Sequence, residues 1–170
     1  MADELVDVVN ERDEVIGQEM KWICHDKELW HRISGVFIFN SEGKILLQTR
    51  NKNKTSGGLL DYSASGHVIS GETYENGAYK EMGEELGIKI KLKDSGIKIF
   101  ENHSYNKKTN IKHIIRIFIG YHEGSFNIQK EELDSVAFYD LENIKKMILR
   151  NPEKFTMGFK LGFKTYVEKK

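Results

Sequence analysis

Apolar residues fall along the chain in short runs with strand character, interrupted by one long stretch of helical period and followed by two more. Leu5 to Asn10 and Glu14 to Gly17 predict an opening hairpin, about residues 4–18, that turns at Glu11-Arg12-Asp13. An irregular segment through Trp22, Cys24, His25 and Trp30 follows. Ile33 to Asn40 and Lys44 to Thr49 are β-branched, aromatic and aliphatic runs separated by Ser41-Glu42-Gly43, a hairpin signal. Arg50 to Gly58 reads as a loop, Leu60 to Ser65 as a short strand, and Gly66 and Gly71 bracket a further loop. Ile97 to Tyr105 and Ile111 to Tyr121 flank the polar turn Asn106 to Asn110, and Ser135 to Tyr139 offers one more strand. A helix starts near Thr73, an N-cap residue type, repeats Ala78, Met82 and Leu86 at i+4 and stops at Gly87. Helices over Leu141 to Arg150 and Glu153 to Val167 close the chain, with Pro152 at a natural helix start. Strands outnumber helices, which gives an α+β class with a mixed sheet.

Composition narrows the functions. A length of 170 residues without repeats or Gly/Ser/Pro linkers reads as one domain over 1–170. The 26 Lys and Arg balance 26 Asp and Glu, which argues against gripping nucleic-acid phosphates or an anionic membrane and leaves small molecules as partners. The lone Cys24 excludes an intramolecular disulfide or a Cys-rich zinc site and suits a reducing compartment. Apolar runs such as Val36 to Phe39 fall far short of the ~20 residues of a spanning helix. The acidic start Met1-Ala-Asp-Glu lacks the parts of a signal peptide, so the cytoplasm is the expected location. Edges of the opening hairpin could pair with a second subunit as a homodimer.

On the central helix, Glu81, Glu84 and Glu85 fall within about 100° of arc, beside the apolar stripe of Ala78, Met82 and Leu86. Like charges at i+3 and i+4 repel, and these three sit in the last turns, where the helix dipole disfavours anions. A hard divalent cation reverses that sign, because Mg²⁺ takes oxygen ligands from one or two carboxylates plus substrate phosphates. Solvated surface glutamates screened by Lys80, Lys89 and Lys91 are the alternative for the triplet alone.

The surrounding spacing decides between them. Gly66, five residues, Glu72, seven residues, Lys80-Glu81-Met82, one residue, Glu84-Glu85, one residue and Gly87-Ile88 resembles the box of the Nudix family, with Lys80 in place of arginine. Such a pattern arises by chance in on the order of one chain in a million. The resemblance implies an α/β/α sandwich with a mixed sheet, and hydrolysis of a diphosphate linked to another group with Mg²⁺ or Mn²⁺. It carries the metal-ligand and catalytic roles to Glu81, Glu84 and Glu85, with Glu84 a ligand or orienting base. Glu72 would brace the loop against Lys80, and Gly66 and Gly87 permit its tight turns. The substrate would be a nucleoside diphosphate derivative or a similar compound.

A second similarity, over roughly residues 4 to 160, is to the Nudix branch related to isopentenyl diphosphate isomerase. His31-Arg32, Gly35 to Asn40, Gly43 to Arg50, Asp61 and Ser65-Gly66-His67-Val68 carry it. The isomerase alternative implies a cysteine where Ser65 stands and a carboxylate on the strand that here reads Ile111-Lys112-His113-Ile114. An unactivated serine does not replace a thiol in proton transfer, so hydrolysis is preferred. His31 and His67 match histidines that hold a metal in those isomerases, and His25 lies near a third such position at a different spacing. A second metal site made by them with Glu85 is the functional alternative, and the preferred expectation is that they hydrogen-bond in a partly buried hairpin. Ser65 and His67, two apart on a strand, do not make a nucleophile and base without a third member.

Substrate contacts are expected from Arg50 and Lys54 in the basic loop, where a solvated lysine is the alternative for Lys54, and from Arg116, whose charge inside an apolar run needs an anionic partner, either substrate or a structural carboxylate. Lys52 is expected to be a solvated loop lysine, and Glu131-Glu132 an acidic surface pair or the site of a base. Trp22, Trp30, Phe100 and Tyr105 are expected to pack rather than stack on a base. A catalytically inactive binding module of the same fold remains the rival from outside enzymology, disfavoured by intact carboxylates.

Overall fold

A computed structural model describes residues 3–106 and 109–170, with backbone only for 105 and 106. The central strand is β3 (His31–Phe39), in which odd and even positions face opposite ways. Phe37 and Phe39 point into one apolar cluster, Val36 and Ile38 into the other. The first cluster is closed by α3 (Leu141–Arg150), through Ile144, and by α4 (Met157–Glu168), through Phe159 and Phe163. The second is closed by α2 (Tyr74–Leu86) through Ala78, Met82 and Leu86. Helices thus cover both faces of a mixed sheet, the α/β/α arrangement expected.

The sheet runs β2 (Val15–Met20), β1 (Leu5–Val9), β3, β4 (Ile45–Arg50) and β5 (Leu60–Asp61). β3 also pairs antiparallel with β6 (Ala64–His67) and parallel with β8 (Thr109–Tyr121). β8 pairs with β7 (Lys93–Asn106), and β4 with β9 (Leu133–Tyr139). Two registers matter for the site: His31 lies beside His113, and Ile33 beside His67. Three histidines therefore meet at one end of the sheet.

Caps bound α2 as the sequence predicts. The Thr73 hydroxyl accepts from the Asn76 N–H at 3.1 Å, and Gly87 takes the left-handed conformation at φ +65. Elsewhere the chain departs from its local pattern. The segment expected to be irregular contains α1 (Lys21–Asp26), which buries Cys24 against Val6 and Val8. The run Leu60 to Ser65 is broken into β5 and β6, because Asp61 turns inward to accept from the Tyr62 N–H and the Thr156 hydroxyl. Pro152 starts only a single 3₁₀ turn, and α4 begins after Thr156, whose hydroxyl caps the Phe159 N–H. Gly162 lets α4 lie against Tyr62 and Gly158 lets it lie against Ile115 and Glu101, while the Tyr62 hydroxyl donates to the Gly158 carbonyl at 2.8 Å. Trp22 and Phe100 are exposed, 60% and 47%, rather than packed. The tip of the β7–β8 turn, the first two residues and the Tyr105 side chain lie outside the described residues. Among the described residues no helix is long and apolar enough to cross a membrane.

Candidate active site

Glu81 and Glu85 lie one turn apart on α2, flanking the stripe that packs against Val36, Ile38 and Ala64. Packing of that stripe drags both carboxyls out of water, leaving them 9% and 6% exposed, while Glu84 stays exposed. All three face one cavity of about 380 Å³. Glu85 Oε2 accepts from the Ser65 N–H and from the Gln48 amide, each at 3.0 Å. Its other oxygen is engaged by neither donor. Glu81 lies against Gly66, where an added Cβ would overlap its carboxyl group.

Burial, with smaller contributions from Glu84 and Glu4, pushes Glu81 up to about 7. Glu85 is raised well above the usual carboxylate range by burial and then by Glu81. Two adjacent buried acids held above the usual carboxylate range mark a candidate functional site. Carboxylate oxygens converging on a cavity fit Mg²⁺ or Mn²⁺ as hard ions.

Arg50 and Lys54 line the same cavity, each already braced. Arg50 meets Asp61 at 3.0 Å and the Thr55 carbonyl at 2.9 Å, and Lys54 meets Glu132 at 2.8 Å. Glu132 lines the cavity too, whereas Glu131 is exposed outside it.

Two expectations need correction. Arg116 does not line the cavity; its guanidinium grips Asp94 Oδ2 at 2.6 and 2.9 Å. Alternation along β8 places it on the opposite face from His113 and Ile115, which do line the cavity. Lys80 does not brace Glu72. Its ammonium lies 3.4 Å from Glu4 and 3.5 Å from Glu81, and Glu72 Oε2 is buried without a partner among the described residues. A flexible point charge follows the nearest carboxylates, where a planar guanidinium would hold a directed pair.

His31 hydrogen-bonds as expected, and the histidines also gather into one cluster. His25 on α1, His31 on β3, His67 on β6 and His113 on β8 each offer a ring nitrogen within 4.8 Å of the others. His31 Nδ1 bonds the Leu29 carbonyl at 2.9 Å, its Nε2 meets His25 Nε2 at 3.2 Å, and His113 Nδ1 meets Glu101 Oε2 at 2.9 Å. Burial pushes His31 and His113 down to about 3 and His67 well below its ordinary value, so these rings are neutral near neutral pH. Neutral imidazoles are metal-ligating groups. His113 was invisible as a partner in the sequence, because only the parallel β3–β8 register joins it to His31. The same holds for Glu101, which stands opposite His113 on β7. It puts a carboxylate 2.9 Å from His113 Nδ1.

Fold and cavity together define a chain of the Nudix class. A NUDIX domain matches residues 29–158, and the chain belongs to the Nudix family. It is 33% identical to an isopentenyl-diphosphate Delta-isomerase of Serratia proteamaculans, over 92% of this chain and 88% of that one. It is also 33% identical to an uncharacterized Nudix hydrolase of Yersinia pestis, over 83% and 75% respectively. Among solved structures, DR0079 from Deinococcus radiodurans superposes with a TM-score of 0.71 at 25% identity, covering 86% of this chain and 90% of that one.

Proposed function

We propose that this chain is a divalent-metal-dependent diphosphatase that cleaves a diphosphate joined to another group by attack of water. The observation that carries the reading is the pair of buried carboxyls, Glu81 and Glu85, facing one cavity with exposed Glu84 and basic Arg50 and Lys54. When bound, Mg²⁺ or Mn²⁺ supplies charge neutralisation at the phosphate oxygens and a water of lowered pKa. Glu81 and Glu85 hold that ion; the Ser65 N–H and Gln48 amide fix the Glu85 carboxylate in place. Glu84, still solvated, is placed to orient or deprotonate a water. Lys54 can exchange Glu132 for a phosphate oxygen at little cost, since both are part-exposed, and Arg50 holds the loop through Thr55.

The substrate is a small diphosphate, such as a nucleoside diphosphate derivative, and the single buried Cys24 suits a cytoplasmic setting. Phosphate or nucleotide release from a panel of diphosphates with Mg²⁺ tests the assignment. Turnover should fall on the order of 10²-fold or more in Glu85→Gln, and in Glu84→Gln if it is the base. Metal-independent turnover, or unchanged rates in both variants, overturns it.

A second reading, isomerisation of isopentenyl diphosphate, is favoured by the Serratia proteamaculans relative's name and by the histidine cluster with Glu101 beside it. Ser65 opposes it, because a hydroxyl lining the cavity is a far weaker proton donor than a thiol. Incubation with isopentenyl diphosphate separates the two: robust conversion to the dimethylallyl isomer establishes the second reading.

A further inference from the structure

Where the Nudix box carries an arginine this chain has Lys80, and the ammonium has found other partners. Its Nζ lies 3.4 Å from Glu4 Oε1 and 3.5 Å from Glu81 Oε1, while Glu72 Oε2 stays buried without a partner among the described residues. Neither contact is one that helix geometry supplies. Positions one apart on a helix do not face each other, so Lys80 bends to reach Glu81; its i+4 neighbour is Glu84, with which it makes no ion pair among the described residues. We propose that Glu4 is a positioning residue for the cation site: given the role proposed above for Glu81, it draws the Lys80 ammonium aside and leaves that carboxylate free to take a divalent ion.

The main chain fixes Glu4 for this task. Its carbonyl accepts from the Lys21 N–H at 2.8 Å, the Leu5 carbonyl accepts from the Ser70 N–H at 2.9 Å, and Val6 bridges to Ile69 in the loop that leads to α2. Glu4 therefore stands between α1 and α2 and holds one lysine on each oxygen, Lys21 on Oε2 at 3.3 Å and Lys80 on Oε1. The Lys80, Glu4 and Glu81 side chains are 28%, 29% and 12% exposed, so the three charges act partly out of water. An ammonium carries three donors on a flexible stem and can serve two carboxylates at once. Here it does so, and the charge it puts beside Glu81 is the one an incoming ion has to displace. Like charges repel at this range, so binding of a divalent ion at Glu81 requires Lys80 to move away. With Glu4 beside it, Lys80 keeps a partner as it leaves. Without Glu4, leaving Glu81 costs Lys80 its remaining ion pair among the described residues, and the ammonium competes with the ion.

The test is a double-variant cycle on the full chain, read as the Mn²⁺ affinity that Glu81→Gln removes, with the melting temperature in chelator measured alongside. Glu4→Gln should weaken Mn²⁺ binding about fivefold, the upper end for one part-exposed ion pair. Lys80→Met keeps the stem and removes the ammonium. In that background Glu4→Gln should change the affinity by less than about twofold, the ordinary error of additivity, because no lysine remains to be drawn aside. An equal loss in both backgrounds would mean that Glu4 acts only as a nearby negative charge or as a tether of the first strand, and overturns the positioning role. An unchanged affinity in Glu4→Gln with Lys80 present overturns it too, as does a lowered melting temperature without coupling in affinity. The two readings fail separately. Mn²⁺ affinity untouched by Glu81→Gln removes the role of Glu81 in the diphosphatase reading, whereas affinity lost in Glu81→Gln without coupling between Glu4 and Lys80 removes only the role of Glu4.

Discussion

Gly66 leaves no room for a side chain beside Glu81: a Cβ there would overlap the carboxyl group that the cavity needs in place. Because the obstructing atoms are the end of a flexible side chain, Gly66→Ala should fold and move Glu81. Mn²⁺ or Mg²⁺ affinity is expected to fall tenfold or more, about 1.4 kcal/mol, with little change in melting temperature. Calorimetric metal titration reads this directly, and unchanged affinity would show that Glu81 does not hold the ion.

Stability of the metal-free chain should run against pH in the opposite sense to that of an ion-paired acid. Glu81 ionises at about 7 in the fold against 4.5 when unfolded, so the fold favours its protonated form. That contribution is full below 4.5 and is lost as pH rises through about 7. Glu85, raised well above the usual carboxylate range by burial, acts in the same sense. Melting in chelator should therefore worsen from about pH 5 to pH 8, and Mg²⁺ should restore most at the upper end. A Mg²⁺ effect of equal size at both ends would contradict the buried-carboxylate account.

Two of the three cations expected to bind substrate, Lys54 and Arg116, should now behave differently. Lys54 lines the cavity and Arg116 does not. Lys54→Ala should raise KM about tenfold, the loss of one charge-assisted hydrogen bond of about 1.5 kcal/mol. Arg116→Ala should leave KM within about twofold and act only through Asp94 at the sheet. Steady-state kinetics on any accepted diphosphate compare them, and a larger KM effect from Arg116→Ala would reverse the assignment.

How much of this was readable in the sequence follows the range of the interactions. The helix and its acidic face were legible because cap, stripe and stop, Thr73, Ala78-Met82-Leu86 and Gly87, all act within a few turns. The spacing from Gly66 to Ile88 then marked which of many glutamates mattered. Of the histidines, His31 and His67, with His25 near a third position, were marked by the resemblance, but the cluster with His113 was not legible. It depends on a parallel register between β3 and β8 and on a short helix, α1, whose only buried residue is Cys24. Arg116 was misplaced for a related reason: alternation says that it faces away from His113, but only the fold says which face holds the cavity. Lys80 shows a third limit, since a lysine stem reaches several carboxylates and its choice of Glu4 over Glu72 is tertiary.

That Glu81 and Glu85 hold one divalent cation, with Glu84 beside them in the same cavity, is tested most directly by Mn²⁺ titration followed by electron paramagnetic resonance. One bound Mn²⁺ per chain is predicted, displaced by Mg²⁺, abolished by Glu81→Gln with Glu85→Gln and kept in Lys54→Ala. Full-affinity binding by the doubly substituted chain would contradict the account.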